Sequence, residues 1–392
     1  MTRLMTERDR RRRLVARHHL GRTARSVAEA VTALLAVHSS DPATPFLSMW
    51  ARVAGFTGED LERALYDERN LWRLHAMRRT LFVVPFEAAA MLGAAVGNAN
   101  AAGVRRQLEQ RLSMDIGTGN VAPWLAELEA AIMAVLADGG PCGTRELAAA
   151  VPGLSTEITA GSGKWVAQVP LSSRLPSIMA MERRIVRTRP AGTWRSSQYS
   201  WAAADAWFGQ KPDVRDDPET ARADLVARYL TAYGPATLTD VRWWTGWTAR
   251  EARGALEDAG ADTVVLSENA EGFVAQGDFE SPSEGDESVA LLPGLDSTPM
   301  GWKQRAWYLG DHVGPLFDRN GNVGPTVWVG GRVVGGWGQR ADGAIVYRLL
   351  EDIGTEAGRR VEAEAEQLTA WLAGTIVNPR FQAPLERELS GQ

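Results

Sequence analysis

One cysteine, Cys142, stands in 392 residues, which excludes disulfides within the chain and any cysteine-built metal site. No stretch approaches the roughly 20 uninterrupted apolar residues needed to span a bilayer. The arginine-rich N-terminus lacks the apolar h-region of a signal peptide, so the expected location is the cytoplasm, away from membranes. Five histidines are scattered without metal-ligand spacing and there is no H-E-x-x-H, so no metal and no cofactor are expected. The absence of G-x-S-x-G removes the usual serine-hydrolase elbow. GSGKW (161–165) fails as a phosphate loop, because the first required glycine falls at Ile158 and Trp165 occupies the Ser/Thr position. GTGNVA (117–122) follows a helical pattern instead of a strand and reads as a linker.

What is present is ordinary in amount and uneven in placement. An apolar fraction of 45% and a charged fraction of 23% describe a globular protein, and the length suggests about two to four domains. Net charge is −5, which argues against a protein that coats nucleic acid indiscriminately. Residues 1–25, however, carry nine arginines against Glu7 and Asp9. Residues 181–200 carry Arg183, Arg184, Arg187, Arg189 and Arg195 against Glu182. Any one such run reads equally as a solvated face. Two in an acidic chain point toward local contact with a polyanion.

Three segments share one grammar: a long amphipathic helix, a break, two further helices and a β-rich stretch. The clearest runs from Trp124 to Ala202. WLAELEAAIMAVLAD ends at Gly139-Gly140-Pro141, Thr144 caps TRELAAAV, and a loop with GSGKW leads to SSRLPSIMAMERR. IVRTRPAGTWRSSQYSWA then supplies two strand-like runs about Pro-Ala-Gly. Helix, helix, helix and basic hairpin make a winged helix, whose third helix can enter a major groove while the hairpin touches the backbone. A further copy has ETARADLVARYLTAYG, LTDVRWWTG and TAREARGALEDAG, then TVVLSE and EGFVAQ about Asn269-Ala270. Its wing is acidic and is expected to face away from DNA. The first copy has SVAEAVTALLAV, PATPFLSMWARV and TGEDLERALYDE, with LWRLHAM and RRTLFVVP as a wing carrying Arg73, His75, Arg78 and Arg79.

From about residue 286 the pattern becomes strand-rich, with TVWVGGRVVGGWGQR folding about Gly330-Gly331 and a helix over 355–373. The expected fold class is therefore α+β, three tandem winged-helix (helix-turn-helix) domains followed by a small C-terminal β-barrel or sheet domain. The expected boundaries are 1–122, 123–215, 216–283 and 284–392.

VHSSDP (37–42) is the densest polar cluster. His38 is placed at the C-terminal end of a helix, where an imidazolium suits the dipole. Ser40 or Asp41 can cap the next helix with Pro42 in its first turn. Helix capping and chemistry both remain open on spacing alone. His18 and His19, on the basic N-terminal helix, and His312, in a loop, are expected to be exposed.

VHSSDPATPFLSMWARV, LWRLHAMRRTLFVVP and LLPGLDSTPMGWKQRAWYLGDHVGPLFDRNGNVGPTVWVGGRVVGGW resemble the winged-helix DNA-binding family that includes the bacterial glycosylases AlkZ and YcaQ. The resemblance runs in order over nearly the whole chain. It implies three winged helices and a C-terminal β-barrel, and monofunctional excision of alkylated purines, cross-linked ones included. The family's catalytic Gln-x-Gln or Gln-x-Asp follows the first long helix. By order His38 and Ser40 occupy those positions here, with neither glutamine present. Either His38, Ser40 and Asp41 carry the chemistry, or the scaffold binds DNA without it.

Two functions follow, with duplex DNA as partner and a monomer as the acting species. In a glycosylase, Asp41 stabilises the sugar cation or acts as base, His38 holds or deprotonates the water, and Ser40 orients it. Arg73, His75, Arg78, Arg79, Lys164, Arg183, Arg184, Arg187, Arg189 and Arg195 would then hold phosphates. In a non-catalytic regulator or damage-recognition protein the same basic residues serve and HSSDP is a junction. A scaffold for protein contacts is the third reading, and it predicts no salt-dependent DNA affinity.

Overall fold

The structure, a computed structural model, describes residues 3–391 apart from 118–119, 162–165, 212, 214, 216, 283–284, 378 and 380–381. It is α+β, and its strands fall into separate small sheets along the chain. Strand β1 (Arg3–Met5) precedes helix α1 (Glu7–Arg17), whose N-terminus carries a Thr6–Asp9 capping box. Helix α2 (Val27–Leu34) ends where Leu35 turns left-handed at φ 61°. The chain then enters β2 (Val37–His38), helix α3 (Thr44–Trp50) and a short helix from Gly58. Strands β3 (Leu71–His75) and β4 (Leu81–Pro85) complete an antiparallel sheet ordered β2-β4-β3, with His38 opposite Phe82. His38 therefore belongs to a strand. The expected helix C-terminus lies three residues earlier, because the left-handed Leu35 stops the helix and frees Val37 and His38 to pair.

A helix over Asn98–Ile116 leads to the second unit, with helices Ala122–Gly139, Thr144–Ala150 and Leu175–Met181. Its sheet is β5 (Cys142–Gly143), β8 (Ile185–Pro190) and β9 (Tyr199–Ala203) in the order β5-β9-β8. Between them, β6 (Glu157–Ala160) and β7 (Ala167–Pro170) form a hairpin where a plain loop was expected. The GSGKW segment falls between these two strands in sequence, and its residues 162–165, Lys164 among them, are outside the described residues.

The third unit has helices Pro218–Tyr233, Leu238–Thr245 and Ala249–Asp258 before β10 (Asp262–Leu266) and β11 (Glu271–Val274). Two of these helices are opened by Thr-based capping boxes at Thr237 and Thr248. β1 adds to this sheet in parallel with β10, so the chain's first strand is an edge of its third unit.

Of the barrel or sheet expected for the C-terminal region, the sheet is the form found. β12 (Val289–Leu292), β13 (Thr326–Val329), β14 (Arg332–Gln339) and β15 (Ile345–Leu349) form an open four-stranded antiparallel sheet. Four strands are too few to close; small barrels use about eight. Helices Gly354–Leu372 and Pro384–Ser390 pack on the sheet instead. The latter comes so close that a Cβ at Gly338 would fall 3.0 Å from Leu389. The β13–β14 turn places Gly330 and Gly331 at φ 55° and 75°, as a two-residue hairpin turn requires.

One core runs through the first, third and C-terminal regions, whereas the second unit has its own, centred on Leu125, Ile132, Leu147 and Met179. Among the described residues no helix is long and apolar enough to cross a membrane.

Candidate active site and nucleic-acid interface

The basic N-terminus is spent inside the molecule. Arg8 and Arg12 bind Asp286 at 2.6 and 2.7 Å, Arg13 and Arg17 bind Asp278 at 3.0 and 2.7 Å, and Arg22 binds Glu364 at 2.9 Å. Arg10 is buried 4.1 Å over the Trp307 ring. The expected polyanion contact of this segment is corrected accordingly: α1 lies against the third unit and the C-terminal region, whose carboxylates neutralise it. His18, expected on the surface, is fully buried between Thr298 Oγ1 (2.8 Å) and the Ala232 carbonyl (3.1 Å). Burial, aided by Arg52, pushes its pKa down to about 3.

Two of the three sequence stretches that carry the family resemblance, those around Ser48 and around Asp296, meet in one buried network. Arg52 grips Asp296 through two contacts, of 2.9 and 2.7 Å, with both side chains wholly buried. Ser48 donates to Asp296 at 2.6 Å, and Arg52 also donates to Thr298. Next along the chain, Ser297 donates to the Ala36 carbonyl (2.8 Å) and accepts from the His38 N–H (3.0 Å). LLPGLDSTP thus holds β2 from below, and Ser39 N–H donates to the Leu81 carbonyl to continue the strand.

At the strand's end the polar side chains diverge. The His38 ring is buried edge-on to Phe82 at 5.5 Å, and its Nδ1 has no hydrogen-bond partner. Burial, with the Arg78 charge adding to it, lowers its pKa to about 4, so the imidazole is neutral at physiological pH. Ser39 accepts from the buried Arg73 Nε at 2.9 Å, while Arg73 Nη1 donates to the Tyr66 hydroxyl at 2.8 Å. Arg73 is therefore a buried support under the loop, not the exposed phosphate contact expected from the wing. Ser40 is exposed. It lines an open cleft with Ser39, Pro42 and Leu81 on one side and Arg187, Tyr199 and Trp201 of the second unit on the other. Asp41 points elsewhere. Its Oδ1 accepts from Ala43 N–H at 2.9 Å, forming the turn that starts α3, and it lines a small pocket with Leu47, Leu295, Trp337 and Glu386. The turn leading into α3 is thus one role of the cluster, played by Asp41, whereas the N-cap position itself is Ala43 and makes no side-chain cap bond. Ser40 alone of the three candidate catalytic residues faces the cleft.

Glu386 was not anticipated. Its carboxyl is 5% exposed, and burial, reinforced by the charge of Asp41, raises its pKa to about 8. It lies far along the chain, in a short helix of otherwise unremarkable composition, so no local pattern signals it.

The remaining basic candidates separate into two groups. Arg184 is ion-paired with Glu129 and Arg189 with Glu62, Arg195 donates to the Ile376 carbonyl, and the Arg183 guanidinium packs where a Cβ on Gly93 would sit. These four serve structure, because carboxylates, carbonyls or close backbone surround them. His75 is half-buried, with Nδ1 unpartnered and its pKa lowered to about 3 by burial and by Arg187. Arg79 is exposed at the β3–β4 turn. Arg78 lies 4.1 Å over Trp243, a ring that Arg305 also approaches at 5.1 Å. Both Arg78 and Arg79 hold positive φ, 52° and 61°, as the two central residues of that turn. Asn and Gly normally occupy such positions, so the turn keeps two arginines at a cost in backbone strain. Among the described residues no group of His, Cys, Asp and Glu could hold a metal ion.

Known proteins resemble this chain throughout. A model of the AlkZ-like DNA glycosylases matches residues 31–371. An interstrand DNA cross-link repair glycosylase of Streptomyces sahachiroi is 27% identical over 190 residues, 44% of this chain. That match spans 49% of the relative's length. The solved structure of the S. sahachiroi DNA glycosylase AlkZ superposes with a TM-score of 0.71 at 20% identity, covering 93% of this chain and 97% of that one.

Proposed function

The chain belongs to the AlkZ-like DNA glycosylase family, and on that premise we propose that it hydrolyses the N-glycosidic bond of alkylated purines in duplex DNA, acting as a monomer. The helix-and-sheet units ending near residues 122, 215 and 283 are in this reading three winged helices set against the C-terminal sheet domain. The observation that carries the proposal is the end of β2, fixed from below by Ser297 and Arg73, which presents Ser40 to a cleft whose far wall holds Arg187.

An N-alkylated purine is cationic, so it departs with little acid assistance. The protein must chiefly stabilise the oxocarbenium-like sugar and place a water. A neutral His38 has a buried, unpartnered Nδ1 that would accept a hydrogen bond from that water once the ring turns toward the cleft, and the Ser40 hydroxyl orients it. Asp41, one residue on, supplies negative charge and shapes the turn. Arg79 and Arg187 contact phosphates and set position without reading bases. The relative's cross-link repair activity suggests purines carrying bulky or cross-linking adducts, whose weakened stacking lowers the cost of extruding the base.

Free base released from an alkylated duplex, read by mass spectrometry, tests this. His38→Ala and Ser40→Ala are expected to lose about 10²-fold or more. Asp41→Asn keeps the acceptor for Ala43, so a loss there reports charge and not turn geometry. Unchanged release in all three would remove the cluster from the mechanism. One observation favours a non-catalytic reading: neither His38 nor Asp41 lines the cleft. That reading predicts duplex binding with no base release.

A further inference from the structure

Arg187 stands apart from the other arginines of the second unit. Arg184 and Arg189 find carboxylates, whereas Arg187 has none within ion-pair distance among the described residues. It is 8% exposed, its guanidinium lies 4.7 Å over the Trp201 ring directly across the β8–β9 pair, and Nη2 is 3.4 Å from Ser177 Oγ. Nη1 is buried with no partner. Two residues along the same strand face, the Tyr199 hydroxyl is buried and likewise unpartnered. Both residues line the cleft that Ser40 enters, and the guanidinium of Arg73 lies behind them, 4.7 Å from the Tyr199 ring.

A buried guanidinium is expensive to keep without a counter-charge, and burial lowers its pKa to about 10. Natural interiors rarely leave such donors unmet unless a ligand meets them. The unmet groups are an N–H of a cation and a phenolic O–H, with a second buried cation nearby. That set matches an oxyanion, for which charge-assisted bonds are strongest.

We propose that Arg187 and Tyr199 form a phosphate subsite, and that it holds the phosphodiester of the target nucleotide beside Ser40. The oxyanion site stands on the geometry alone; its DNA source rests on the function proposed above. The subsite fixes the backbone at the reacting sugar, which turns a general basic surface into a registered grip.

Duplex affinity measured by fluorescence anisotropy across a salt series tests the proposal, using wild type, Arg187→Met and Tyr199→Phe. Arg187→Met is expected to flatten the slope of log affinity against log salt by about one and to weaken binding about eightfold at 0.1 M salt. Its thermal midpoint in the absence of DNA should hold or rise, since an uncompensated buried charge has gone. Tyr199→Phe should weaken binding severalfold with the slope unchanged. Inorganic phosphate should raise the wild-type midpoint and leave both variants unmoved.

Salt-dependent duplex binding that neither variant alters would overturn the subsite while sparing the DNA reading. Wild type that responds to phosphate and not to duplex would overturn the DNA source and keep the oxyanion site. Should Arg187→Met fail to fold, a structural role for Arg187 is indicated and the proposal falls unless Tyr199→Phe shows the stated loss.

Discussion

Glutamine in place of Glu386 is expected to stabilise the protein, increasingly so as pH rises from about 4 to about 8. The carboxyl is 5% exposed in a pocket it shares with Leu47, Trp337 and Asp41. Burial, with the charge of Asp41 behind it, raises its pKa to about 8. In the unfolded chain the same proton leaves near pH ~4.3. Below that pH both states hold the proton and nothing is lost. Between the two values the folded state retains a proton the unfolded state has released, so stability falls as pH rises; above about 8 the loss is complete. At roughly 1.4 kcal/mol per pH unit, the penalty at pH 7 is on the order of 4 kcal/mol. Glutamine is neutral throughout and still offers a carbonyl to Ala383 N–H, which Glu386 Oε2 accepts from at 3.2 Å. Urea unfolding of both proteins over this pH range provides the assay. The two stabilities should converge below about pH 4 and separate toward ~4 kcal/mol at neutrality. A gap that does not change with pH, or a glutamine variant weaker at pH 8, would refute the reasoning.

Asp296→Ala should cost about 3–5 kcal/mol in denaturant unfolding, because Arg52 is left charged and wholly buried. A cost under ~1 kcal/mol would show that the network does not hold β2. Arg79→Gly relieves a φ of 61° and should stabilise by about 1 kcal/mol while weakening duplex affinity; a loss of stability would show the turn is unstrained. On the acid side, burial holds the pKa of His18 and His75 near 3 and that of His38 near 4. These depressed groups give stability that is full above about pH 6.5 and lost as pH falls toward 4. Unfolding near pH 5 should therefore take up on the order of two protons net, about three bound by these rings less about one released by Glu386, and an uptake below about one would contradict the burial of these rings.

The helix–helix–helix–hairpin grammar was legible because caps, breaks and apolar spacing are local: Thr248 before its helix, the Gly330-Gly331 turn, Asn269 at φ 57° in the third hairpin, although Thr144, expected as a cap, is the first residue inside its helix behind Gly143. Strand β2 was not, since two residues paired to β4 leave no period to read, and the end of α2 depends on a left-handed Leu35. The sequence left barrel and sheet open because strand composition does not say whether edges pair or are covered by helices. Basic runs misled most. A guanidinium on α1 looks the same in sequence whether it meets Asp278 or solvent, and its partner lies more than 260 residues away. The HSSDP cluster could be found but not apportioned, because His38, Ser40 and Asp41 turn toward a buried face, a cleft and a pocket.

The central claim is that this cleft removes a base. Single-turnover reaction of the wild-type protein with an N7-alkylated duplex, followed by mass spectrometry of the supernatant, tests it most directly. The account predicts one free alkylpurine and one abasic site per bound lesion, with Ser40→Ala slowing both. Tight, salt-dependent binding of the same duplex with no free purine would contradict it.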